Sequence, residues 1–151
     1  MVDRLVAEQR VRIAVPLSTG SVAEVETVWA VPLGDDLYRI DNVPFSAYGL
    51  HLDDIVAGVP RTTGITMVRV VTAGGHDTFR VLVWPDVDPI QAQPLLDQLG
   101  HIGCGIERAT SRWVAIDVPP SVDRDAVVQI LDRGWLDHVW RYEDSKEGPP
   151  D

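Results

Sequence analysis

"TFRVLVW", residues 78–84, is apolar on both faces of an extended chain, as an interior strand covered from each side would be. The segments downstream of this strand decide the fold. Asp88-Pro89 supplies an N-cap and a first helical residue, and Ala92, Leu95, Leu96 and Leu99 recur at the spacing of a helical apolar stripe. Pro94 sits early enough to delay or kink the first turn, and Gly100 and Gly103 offer stops. Residues 104–109 and 113–118 read as a hairpin around Thr110-Ser111-Arg112, ended by Pro119-Pro120. Ser121 or Asp123 then caps a helix through Arg133, with Val127, Ile130 and Leu131 as its stripe and Gly134 as the residue past its end. Residues 139–143 (VWRYE) close as a strand, and 144–151 read as a disordered, solvated tail. The order is β-α-β-β-α-β, the ferredoxin-like or split-βαβ order, which places both helices on one face of a four-stranded antiparallel sheet.

Upstream the rhythm is different. Residues 1–9 read as a helical turn or loose arm, residues 10–17 alternate as a strand, and 18–24 (STGSVAE) read as a loop. Residues 26–33 (ETVWAVPL) and 37–41 (LYRID) form a hairpin about Gly34-Asp35-Asp36, with Pro32 marking a strand end or an edge. Further strands are expected near 55–59 and at 66–72, the second stopped by Gly74-Gly75. Short strands broken this often suggest a small barrel or a strongly curled sheet. The fold class is therefore α+β: a barrel-like antiparallel unit over residues 10–75 packed on a ferredoxin-like unit over 76–143. No Gly/Ser/Pro-rich linker separates the two, so the helix-free face of the sheet is expected to lie against the β-rich lobe.

At 151 residues, with 45% hydrophobic content and a mean hydropathy of +0.01, the chain has the composition of a globular protein that folds without staples. Cys104 is the single cysteine, which rules out an intramolecular disulfide and a four-thiolate zinc site and suits a reducing cytoplasm. The first residues lack a signal peptide's apolar run, and no stretch is long enough to span a bilayer. The net charge of −10 repels phosphate backbones and the arginines are scattered, so nucleic acid is not an expected partner; the negative field either steers a basic protein toward this surface or serves only to keep the chain in solution.

"RIDNVPFSAYGLHLDDIV", residues 39–56, is the most individual phrase of the chain. Together with "ETVWAVPLGDDLYRIDNVPFSAYGLHLDDIVAG", "VVTAGGHDTFRV" and "GCGIERA", it resembles a bacterial domain family of unknown function, the one numbered 4265, across most of residues 10–142. The resemblance implies kinship but no activity, so no catalytic residue carries over. Read physically, Asn42 suits an Asx-turn, Pro44 holds Val43 extended, Gly49 permits a left-handed turn, and Asp53 and Asp54 cap the next segment. Phe45 and Tyr48 would plug the open end of the barrel. The chemical alternative makes the two aspartates an acid–base or cation-binding pair.

In GGHDTFR, His76, Thr78 and Arg80 share one strand face, where they could bind an anion or present His76 as a base. The structural alternative pairs Arg80 with a carboxylate such as Glu107. Asn42, Asp53, Asp54, His76, Thr78, Arg80 and Glu107 thus form the candidate functional cluster. His101 and Cys104 lack further ligands at metal spacing, and Cys104 reads as a small buried hydrophobe, so neither metal nor cofactor is expected. P-loop, dinucleotide-binding, nucleophile-elbow, HExxH and EF-hand patterns do not occur. Among five tryptophans, Trp135 and Trp140 flank the last turn and are candidates for partner binding.

Three functional readings are open, in order of preference. The first is a non-enzymatic acidic protein-binding module, immunity- or antitoxin-like toward a basic protein. The second is a small-ligand-sensing ferredoxin-like protein, for which a homodimer stays open. The third is an enzyme that uses the 41–54 loop with His76 and Arg80.

Overall fold

A computed structural model describes residues 9–17 and 24–146. The arm expected over 1–9 lies outside the described residues apart from Gln9, and the loop expected over 18–24 lies outside them apart from Glu24, which opens a strand.

The first five strands are β1 (Val11–Leu17), β2 (Glu24–Gly34), β3 (Leu37–Ile40), β4 (Ile55–Arg61) and β5 (Gly64–Thr72). Each pairs antiparallel with the next, and a short parallel contact of Ile13 with Ile65 and Ala14 with Thr66 closes the ring into a barrel. The closure works because alternate residues point inward: Ile13 and Val15, Val28 and Ala30, Tyr38 and Ile40, and Val56 fill the interior. Asp35 and Asp36 both have φ near +60°, the primed geometry that joins right-twisted strands in a two-residue hairpin.

The second unit runs β6 (Asp77–Val83), a 3₁₀ turn at Pro89–Ala92, α1 (Gln93–His101), β7 (Gly105–Arg108), β8 (Trp113–Val118), α2 (Arg124–Leu136) and β9 (Trp140–Asp144). The sheet order is β7-β8-β6-β9, antiparallel throughout, with β6 in the interior. Asp88 accepts from the Ile90 N–H and Asp123 from the Asp125 N–H, satisfying amide groups that open each helical segment. Phe79, Val81, Val83, Val114, Ile116, Val118 and Trp140 meet Leu95, Leu96, Leu99, Val127 and Leu131 in one core, so both helices lie on one face of the sheet.

Several expectations need correction. Gly134 does not follow α2 but lies inside it, buried, because a Cβ there would overlap the Trp140 indole. His138, at φ 54°, turns the chain instead. Gly100 likewise falls within α1, and Gly103 (φ 112°) makes the stop. Trp140 is 0% exposed and donates from its indole N–H to the Leu131 carbonyl, so it belongs to the core and offers nothing to a partner. The tail expected from residue 144 does not include its first two residues: Asp144 ends β9, and buried Ser145 donates its N–H to the Thr78 carbonyl and accepts from the Gly49 N–H. The rest of that segment, from 147 onward, lies outside the described residues.

Candidate functional site

The antiparallel registers arrange the helix-free face of the sheet in rows. Arg141, Leu82 and Trp113 form one; Glu143, Arg80, Ala115 and Glu107 the next; Thr78, Asp117 and Gly105 a third. The barrel covers the second and third rows, chiefly with residues 41–54, and leaves Leu82 and Trp113 37% and 36% exposed.

The covering segment has little regular structure, so its backbone is held by side chains. Glu26 of β2 accepts from three successive amides, Phe45 (2.6 Å), Ser46 (3.0 Å) and Ala47 (2.8 Å). Asn42 makes no Asx-turn. Its Oδ1 accepts from the Trp29 N–H at 2.6 Å and its Nδ2 donates to the Val43 carbonyl, which ties the segment to β2. Ala47 and Leu50 enter the barrel core, whereas Phe45 packs edge-on against Trp113 and Tyr48 lies over Arg80. Phe45 and Tyr48 therefore face the sheet rather than plug the barrel.

Arg80 is 2% exposed. Its Nε donates to Glu143 at 2.9 Å, and its Nη1 donates to the carbonyls of Pro44 and Ala47. The carboxylate partner is thus Glu143 and not Glu107, because residue 143 stands directly opposite Arg80 on β9. Glu143 also accepts from the Tyr48 hydroxyl at 2.6 Å. Burial, followed by that bond to a carboxylate, raises the Tyr48 pKa above its usual value. Glu107 accepts from the Val43 N–H, and burial raises its carboxyl pKa.

The third row is equally engaged. His51 Nδ1 lies 2.8 Å from the Thr78 hydroxyl, and burial lowers the imidazole pKa. Asp54 accepts from the His51 and Gly74 amides, both at 2.9 Å, and so fastens the 41–54 segment to the connection before β6. Gly74 is obligatory there, since a Cβ would come within 2.6 Å of the Asp53 carbonyl. His76 stands between Asp117 (Nδ1–Oδ1 2.7 Å) and Asp53 (Nε2–Oδ2 3.3 Å), and Arg39 approaches Asp53 at 3.8 Å. Burial raises the Asp117 pKa, and the hydrogen bond from His76 pulls it partly back.

The seven residues of the expected cluster lie along the seam between the two units, in separate bonded groups rather than at one point. Most of their polar atoms hold that seam: His76 has a carboxylate on each ring nitrogen, each Asp54 oxygen accepts from an amide, and Asn42 serves the backbone. Cys104 is buried, with its thiol pKa pushed up to about 11 by burial and by nearby Asp117, so it stays protonated near neutrality and is a poor nucleophile. Among the described residues no group of three or more His, Cys, Asp or Glu side chains is placed to hold a metal ion. The seam also depends on residues outside the expected cluster: Glu26, Tyr48, His51, Asp117 and Glu143. Tyr48 and His51 lie in the 41–54 stretch that the sequence marks out, and strand alternation puts Asp117 and Glu143 on the Ala115 and Arg141 face; nothing local marks Glu26.

Trp135 is 55% exposed and Leu136 71% exposed at the end of α2, away from the seam. Asp132 and Asp137 flank them on the chain, and Asp86 reaches the same turn through His138. No helix of the described residues is long and apolar enough to cross a membrane.

The model of a family described as "Domain of unknown function (DUF4265)" matches residues 26–142. The chain belongs to that family. Its fold is similar to a solved structure described as "Novel crystal structure of a hypothetical protein from Neisseria gonorrhoeae", with a TM-score of 0.79 and 20% identity over 95% of this chain and 99% of that one. No curated protein matches.

Proposed function

We propose that this member of the DUF4265 family is a non-enzymatic, cytoplasmic protein-binding module that uses its acidity to engage a basic protein, in the manner of an immunity protein. The observation that carries the reading is the pair Trp135 and Leu136, two large apolar side chains exposed next to each other, with Asp132 and Asp137 flanking them on the chain. An exposed aromatic anchor with a charged rim is the anatomy of a binding hot spot, and the sign of the rim selects a cationic partner. Arg133 offsets the charge only in part, and the whole chain carries −10. The engagement of the seam residues with one another supports the non-enzymatic half of the reading, because catalysis needs a base or nucleophile whose reacting atom is free. We read the second unit as ferredoxin-like from its element and strand order, a scaffold that leaves the helical face available for such contacts.

The test is an untagged capture from the native host at low salt, repeated with Trp135→Ala/Leu136→Ala. The expected result is a basic protein that is retained by the wild type, released as salt rises, and lost by the double variant. Failure to retain a basic protein at low salt, or equal retention by the variant, would overturn the assignment.

A further inference from the structure

Where the barrel's cover ends, the helix-free face opens into a groove of about 500 Å³, within the range of small-molecule sites. Leu82 and Trp113 form its apolar floor, Arg141 stands at one side, and Tyr48, Arg80 and Glu143 line the end nearest the barrel. We propose that this groove binds a small organic carboxylate with a flat apolar body.

Three observations carry the assignment. First, Arg80 is almost wholly buried, and while its Nε and Nη1 have acceptors, its Nη2 has none. A charged donor left without an acceptor is completed by an anion. Tyr48 lies over this guanidinium, 4.8 Å from ring centre to Cζ, so in this assignment its ring shifts to admit the ligand's head while its hydroxyl stays on Glu143. Second, the charge of the groove runs against that of the chain. Both oxygens of Glu143 are already engaged, one by Arg80 and one by the Tyr48 hydroxyl, whereas Arg141 has no ion pair among the described residues. Two arginines and one glutamate leave a single positive charge, which a monovalent carboxylate matches better than a phosphate dianion. Third, Trp113 presents a ring already met edge-on by Phe45, at 5.6 Å between centroids, which leaves Leu82 and the indole as an apolar bed for a planar group.

The assignment is independent of the α2 patch and is tested without a protein partner. Benzoate and indole-3-acetate are titrated into the full chain by calorimetry and thermal shift, beside benzamide, indole-3-acetamide and inorganic phosphate. At least one of the two acids is expected to bind and raise the melting temperature, while its amide and phosphate do not. Arg141→Met should weaken that acid about tenfold, the ratio that corresponds to one charge-assisted contact. Trp113→Ala, at a half-exposed position, should remove binding while leaving the chain folded. Absence of binding by both acids at millimolar concentration, equal binding of acid and amide, a phosphate response of the same size, or unchanged affinity in both variants would each overturn the proposal.

Discussion

The two units of this chain are stabilised in different ways. The sheet unit encloses a continuous core in which two helices and all four strands pack together, with the fully buried Trp140 supplied by β9. The barrel closes around fewer and smaller residues, and two of them, Ala47 and Leu50, come from the irregular segment that also touches the sheet. Small cores gain little from burial alone. The barrel therefore leans on the seam, where backbone groups of residues 43–47 end on Glu26, Arg80 and Glu107. Apolar packing makes one unit self-sufficient, and a polar network makes the other dependent on it.

The largest loss follows when the sheet core is opened. Trp140→Ala should lose about 3–5 kcal/mol, because it empties the space against which Gly134 is packed and abandons the bond to Leu131. Denaturant unfolding should show both units lost in one transition. The next effect belongs to the seam. Arg80→Met keeps most of the side-chain volume but takes the cation from Glu143, which keeps only the Tyr48 hydroxyl, and leaves two carbonyls without their donor, at a cost of about 3 kcal/mol read as a fall in the denaturation midpoint. A loss under about 1 kcal/mol would make the network ornamental.

These residues show how much the sequence disclosed. The sheet unit was legible because its signals are local: a helical stripe, caps at Asp88 and Asp123, and a two-residue alternation through residues 78–84. The barrel was legible as short strands, although closure rests on the parallel meeting of β1 with β5, which no local pattern announces. The cluster at the seam was found by residue type and by shared strand face. Its partnerships were not. Glu143 stands 63 residues from Arg80, and Glu26 looks like an ordinary solvent-facing strand residue until the 45–47 amides arrive. Gly134 misled because its reason is another residue's bulk, not its own backbone freedom.

Smaller effects sharpen the contrast. Glu26→Gln keeps the shape and removes the charge that three amides converge on, so about 1–3 kcal/mol should be lost from thermal stability, and the loss should concentrate in the barrel. The last effect is one of pH. Burial depresses the His51 pKa in the folded chain, so the unfolded chain takes up the proton more readily. Stability from this group is complete above the ordinary imidazole value near 6.5 and falls as pH drops below it, down to the folded-state pKa. Raised carboxyl pKa values at Glu107 and Asp117 act in the opposite sense, since the folded chain binds those protons more readily. The difference between wild type and His51→Asn isolates the histidine, and the variant should lose less stability as pH is lowered from about 7 to about 5.5, across the ordinary imidazole range. A steeper loss in the variant would contradict the sign.

Native-state hydrogen exchange on Arg80→Met, compared with wild type, tests the central asymmetry most directly. Faster exchange is expected of the amides at residues 40–54 and along β3 and β4, with α1 and α2 protected as before. Equal acceleration in both units, or none in the barrel, would contradict it.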